Sequence, residues 1–276
     1  MPAYHGGNAI RGSFAKARMQ PALFESTLPL GAPDLMRASA FQRYLDEEVV
    51  RAGDAEATGS GTLLSSLSPS LMQDLQRFDH GGRSGVGLEV LEVMAACVRH
   101  GRDLLVQLQN EDRVVPLTLF PTQRQVHCPV PMLQFLQTRL TELRVLHVEP
   151  AVLRPHGDRD RALVGDAEHY APLGPLLWEL ALRGAREELL PEISGMAAYR
   201  IVPGVELQGL ALAGSMANAV QRLKRATTNL REIAEWPGFD RTRATRLLNA
   251  LYLQAGLMVT RTHPAATNEG WFSGSR

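Results

Sequence analysis

Apolar residues along the chain follow two spacings, and these divide it into helices and strands. Phe41, Tyr44, Leu45 and Val49 fall near one face of a helix over residues 40–51. Residues 62–78 read as a helix that opens near Ser68-Pro69, with proline in its first turn. In residues 88–100, Leu88, Leu91, Met94, Ala95 and Val98 share one side of an amphipathic helix. The pattern then shifts. Residues 103–109 and 113–120 carry strand signals, joined by Asn110-Glu111-Asp112, a hairpin loop by length and composition. Pro116 lacks a ladder donor, which predicts an edge position or a bulge for the second strand. Residues 125–128 predict a third strand, residues 132–140 a helix after two prolines, and residues 143–149 a fourth strand. This order predicts an α+β fold with a small, mostly antiparallel central sheet and helices on one side.

Beyond residue 150 the helical spacing dominates. Residues 150–168 are polar and turn-rich, and the alternating charges of Asp158, Arg159, Asp160 and Arg161 read as a solvated loop. Residues 173–183 predict an apolar helix containing Trp178 and ended by Gly184. One or two more helical turns are expected over 185–193, stopped around Pro191 and Gly195, then a short strand over 197–202. Trp178 and Tyr199 read as packing residues. A long helix is predicted for 205–225, ending in the basic cluster Arg222, Lys224 and Arg225, which suits a helix C-terminus. Thr227, Thr228 and Asn229 offer cap oxygens to a short helix over 230–236. Pro237-Gly238 make a turn. Asp240 caps a helix over 241–254, in which Ala244, Leu247, Leu248, Leu251 and Tyr252 repeat at threes and fours. Gly256 reads as its stop and 257–261 as a strand.

These elements divide the chain into an N-terminal arm (1–61), an α+β domain (62–150), a helical connector (151–204), a C-terminal domain (205–265) and a tail (266–276). The C-terminal domain resembles the winged helix-turn-helix superfamily over about 60 of the 276 residues. The resemblance rests on Leu230, Ile233 and Ala234 in the first helix of the motif. It rests also on the second helix through Thr245 to Leu253, and on the exit Ala255-Gly256-Leu257-Met258. It implies that the early residues of the second helix, Arg241, Thr242, Arg243 and Arg246, face a DNA groove if the domain binds DNA. Winged helices also dock proteins. Residues 205–265 carry eight basic side chains (Arg222, Lys224, Arg225, Arg231, Arg241, Arg243, Arg246, Arg261) against four acids (Glu206, Glu232, Glu235, Asp240). That bias permits DNA contact without requiring it.

Composition narrows the rest. Hydrophobic content of 45% and charged content of 21% are those of a globular protein, and the net charge is zero, so no global field favours nucleic acid or membrane. No run of about 18 apolar residues predicts a spanning helix. Cys97 and Cys128 lie in apolar stretches and argue for a reducing compartment, which sets a bacterial-type cytoplasmic location as the expectation. The Gly-rich loop 79–87 precedes a helix, and Arg83, Ser84 and Gly85 are a weak anion-site candidate. It lacks the Gly-Lys-Ser/Thr of a P-loop. His127, Cys128 and His147 suggest Cys–His chemistry at first sight. Neighbours on a strand point to opposite faces, so His127 and Cys128 cannot pair, and they read as structural. His156 beside Asp158 and Asp160 is opposed as a cation site by the interleaved arginines. No cofactor, metal or catalytic residue is expected. The expectation is a non-enzymatic regulatory or adaptor protein with a protein partner, the alternative a DNA-binding regulator. Oligomeric state stays open.

Overall fold

Strands β1 (Leu104–Asn110) and β2 (Arg113–Phe120) form the hairpin on which the sheet is built. In β1 every second residue, Leu104, Val106 and Leu108, is buried, as strand alternation requires. Glu111 takes a left-handed backbone (φ 56°) to close the turn. β3 (Gln125–His127), β4 (Arg144–Pro150) and β5 (Tyr170–Pro172) complete a five-stranded antiparallel sheet of order β4-β1-β2-β3-β5. The computed structural model describes residues 35–56, 68–78 and 88–266. Within them the fold is α+β, as the spacing predicts.

Pro116 does not mark an edge. β2 is an interior strand, buried on both faces over much of its length. β3 pairs only with Thr118–Phe120, so Pro116 lies where β3 does not reach and no bond to it is lost. The register irregularity falls one strand over, where β1 meets β4 between Gln107 and Leu108. The open stretch at the start of β2 is taken by the chain before α1 (Ala38–Glu56). Val114 N donates to Met36 O at 2.8 Å, and Ala38 N to Asp112 O at 2.7 Å.

Helices α2 (Pro69–Phe78) and α3 (Val90–His100) pack together, and α3 also meets α5 (Leu173–Arg183). The helix expected over 132–140 is shorter. α4 covers Met132–Leu136, followed by a separate 3-10 turn at Leu140–Glu142. The C-terminal helices are α6 (Gly214–Arg225), α7 (Leu230–Ala234) and α8 (Arg241–Leu253). α6 starts well after residue 205 because Gly209 (φ 77°) sits in the left-handed region and breaks the helical hydrogen-bond series. Asn229 and Asp240 cap α7 and α8, accepting from Glu232 N and Arg243 N. Strand β7 (Leu257–Thr260) pairs antiparallel with β6 (Ala198–Ile201), which precedes the three helices, and Thr228 bridges the other side of β6 at Tyr199.

The segment expected to be helical over 185–193 is irregular. Many of its backbone groups are bonded by side chains, most of them from elsewhere. Asn249 of α8 accepts from Leu190 N through Oδ1 (2.9 Å) and donates to Glu188 O through Nδ2 (2.9 Å). Arg186 donates to Glu188 O and Leu189 O (2.8 Å each). Arg261 donates to Ser194 O (2.7 Å) and Glu192 O (3.1 Å), and the Tyr199 hydroxyl to Ile193 O (2.7 Å). Pro191 disfavours a helical Leu190, which leaves these groups in want of such partners. The same segment carries charge to α3. Arg186 Nη1 lies 2.5 Å from Glu89 and 2.7 Å from Glu92, and Glu192 pairs with Arg99. One core runs from the sheet through α5 to α8, with Trp178 and Tyr199 inside it.

Asn249→Leu keeps the branched outline and the number of side-chain heavy atoms and removes both backbone bonds. The orphaned Leu190 N–H is expected to cost about 1–3 kcal/mol. A lower urea midpoint with unchanged slope would show it; an unchanged midpoint would contradict the role given to Asn249.

Candidate functional site

α8 carries the residues predicted to face DNA, and the structure separates them. Arg241 and Arg243 are exposed and Thr242 half-buried on the first turn. From there the helix sinks into the core, with Ala244, Thr245, Leu247, Leu248, Asn249, Ala250, Leu251 and Leu253 buried. Arg246 turns toward the connector. Its Nη2 donates to Gly184 O (3.2 Å), its Nε to Arg186 O (3.4 Å), and Glu187 lies 3.7 Å away. Arg241, Thr242 and Arg243 lie on the accessible first turn; Arg246 belongs to the packing of residues 184–190. No sequence spacing signals this, because its acceptors lie some sixty residues upstream.

Beside that first turn runs a groove of about 500 Å³. One wall is α6, contributing Ser215, Asn218, Arg222 and Arg225; the other is the α7–α8 turn with Trp236 and Phe239. The Arg222 guanidinium stands 5.0 Å from the centre of the Trp236 ring, and that of Arg243 stands 5.2 Å from the Phe239 ring. Both distances are those of cation–π contacts. Arg243 Nη1 also donates to Gly238 O at 2.8 Å. Gly238 has φ 78°, and a Cβ there would stand 3.1 Å from the Ser215 Cβ, so glycine lets the turn come this near α6. The acids close by are engaged. Glu235 lies 3.5 Å from Arg231, Glu232 bonds Thr228 and Asn229, and Asp240 caps α8. Arg222, Arg225 and Arg243 have no carboxylate partner among the described residues. In the sequence the basic cluster at 222–225 suggests only a helix end, and Pro237-Gly238 only a turn. The groove exists because the turn folds the two together.

The chain matches no family model, no curated protein and no solved structure. No helix among the described residues is long and apolar enough to cross a membrane. Arg83, Ser84 and Gly85 lie outside the described residues, as does most of the N-terminal arm.

The cysteines and histidines divide by environment. Cys128 is buried and its thiol is pushed up to about 11, while burial pushes Cys97 higher still. Both are thiols rather than thiolates near neutral pH. His147 sits on β4, three strand spacings or roughly 14 Å from β3, so it does not reach His127 or Cys128. No group of three metal-binding side chains gathers among the described residues. The Asp158 carboxylate accepts from Asp160 N (2.9 Å) within its own turn. His127 instead anchors the 154–170 loop. Its ring centre lies 5.0 Å from that of Tyr170 and 5.6 Å from that of His169. The Tyr170 hydroxyl donates to Arg154 O (2.6 Å) and accepts from Gly165 N (3.0 Å).

Burial, with a smaller contribution from His169, holds His127 below the ordinary histidine range. In the unfolded chain it titrates near the ordinary value, about 6.5. Below that value the unfolded chain binds more protons, so this contribution to stability is full above about pH 6.5 and lost as pH falls. His127→Asn is expected to flatten the fall in urea midpoint between about pH 7.5 and about pH 5. Parallel curves for variant and wild type would contradict the assignment.

Proposed function

We propose that the protein is a non-enzymatic adaptor that works by docking another protein on its C-terminal helices, a winged-helix-like module held against an α+β body. The observation that carries this reading is the fate of the second helix of the motif. In the DNA-binding form of the motif the early residues of the second helix enter the groove together, which here requires Arg246 beside Arg241, Thr242 and Arg243. Here the middle of α8 is buried, with Arg246 and Asn249 bonded to the connector, and only its first turn is open. What stays accessible is a concave surface mixing aromatic and basic side chains, the composition of a protein-binding site. The protonated, buried thiols of Cys97 and Cys128 favour a structural role for them and fit a non-enzymatic reading.

The second reading, a DNA-binding regulator, is favoured by the exposed cations Arg222, Lys224, Arg225, Arg241 and Arg243. The two separate in a mobility-shift assay with duplex fragments at about 50 mM and about 200 mM salt, paired with affinity capture before and after nuclease. The docking reading expects no salt-sensitive shift and a captured protein that survives nuclease. A shift at low salt that disappears in the Arg241→Ala, Arg243→Ala double variant would overturn it in favour of DNA.

A further inference from the structure

We propose that the groove between α6 and the α7–α8 turn binds an acidic peptide segment of the partner, with Arg222 and Arg225 taking its carboxylates. This rests on the docking reading and names the chemistry of the docked segment.

Charge complementarity commits the site to that occupant. Arg222 and Arg225 line the groove, Arg243 borders it, and the nearby acids are all turned to other partners. Three guanidinium groups without carboxylates leave the groove electropositive on a chain whose net charge is zero. An arginine resting on an aromatic ring has less side-chain freedom to lose on binding, and its planar fork suits a carboxylate. Arg222 on Trp236 is such a group.

The shape agrees. Ser215 to Arg225 spans ten residue steps of α6, about 15 Å at the helical rise. An extended peptide covers that length in four or five residues. Ser215, Asn218 and Gln221 on the same wall supply polar groups for its backbone. Single-stranded nucleic acid fits less well. It needs open ring faces on which bases stack. Arg222 and Arg243 stand over Trp236 and Phe239, and both rings also pack against the core.

The test uses the full chain and two fluorescein-labelled probes: a peptide of alternating glutamate and leucine about twelve residues long, and an oligothymidylate of about the same length. Anisotropy is read at about 50 mM and about 300 mM salt. The expected result is saturable peptide binding that weakens with salt and drops about tenfold or more in Arg222→Glu, Arg225→Glu. Arg139→Glu, an exposed change in the turn before β4, is expected to leave it intact. Both altered arginines of the groove are exposed, so an unchanged melting temperature certifies the double variant as folded. Three outcomes overturn the proposal: no peptide binding, peptide binding indifferent to the double variant, or oligothymidylate binding tighter with the same arginine dependence. The docking reading fails separately. If the double variant still captures a nuclease-resistant protein while the peptide does not bind, docking stands and the acidic segment does not.

Discussion

Irregular backbone needs hydrogen-bond partners where it is buried, and residues 184–195, which bury Gly184, Leu190 and Ile193, obtain many of theirs from side chains. Asn249 and Arg246 reach in from α8, Tyr199 from β6, Arg261 from beyond β7, and Arg186 folds back from within. The stretch then holds α3 through Arg186 with Glu89 and Glu92, and through Glu192 with Arg99. Burial pushes the Glu89 carboxyl up even with Arg186 beside it, so the arginine offsets the desolvation only in part. Removing one member strands the others, because an unpaired buried polar group costs more than the bond it lost contributed. This set of bonds ties α8, β6 and the end of β7 to α3.

That arrangement decides which faces of the C-terminal helices stay open. The face of α8 that carries Arg246 and Asn249 is occupied internally. Its first turn and the neighbouring wall of α6 remain outside, and the turn at Gly238 brings their arginines and aromatic rings to one place. A second bond set fixes the far end of α8. Arg124, leading into β3, donates to Gln254 Oε1 (2.7 Å), and Gln254 Nε2 donates to Gly174 O (2.9 Å). The two bond sets together hold α8, the helix into which the groove's turn leads.

Much of the architecture was legible in local patterns. Alternation in Leu104, Val106 and Leu108 defines the central strand, and the run 173–183 defines a buried helix to the residue. Asn229 and Asp240 cap as their positions predict, since capping depends on neighbours two or three residues away. Features set by distant contacts were not legible. Pro116 suggests an edge; the strand is interior, and it tolerates the proline because β3 is too short to reach that residue. Residues 185–193 have helical composition, but their backbone is claimed by Asn249 and Arg261. Arg246 has the position of a base contact and the partners of a packing residue. The pairing of Arg222 with Trp236 spans three segments and depends on how the turn crosses α6.

Native-state hydrogen exchange tests the central claim most directly, because it reports the opening free energy of each segment. Leu190 N–H and the amides of α8 are expected to open with the same free energy and the same denaturant dependence as the β1–β2 hairpin. That result would mean the connector binds the C-terminal helices into the body. Exchange of α8 and Leu190 through a separate, lower-energy opening, with the sheet still closed, would contradict it.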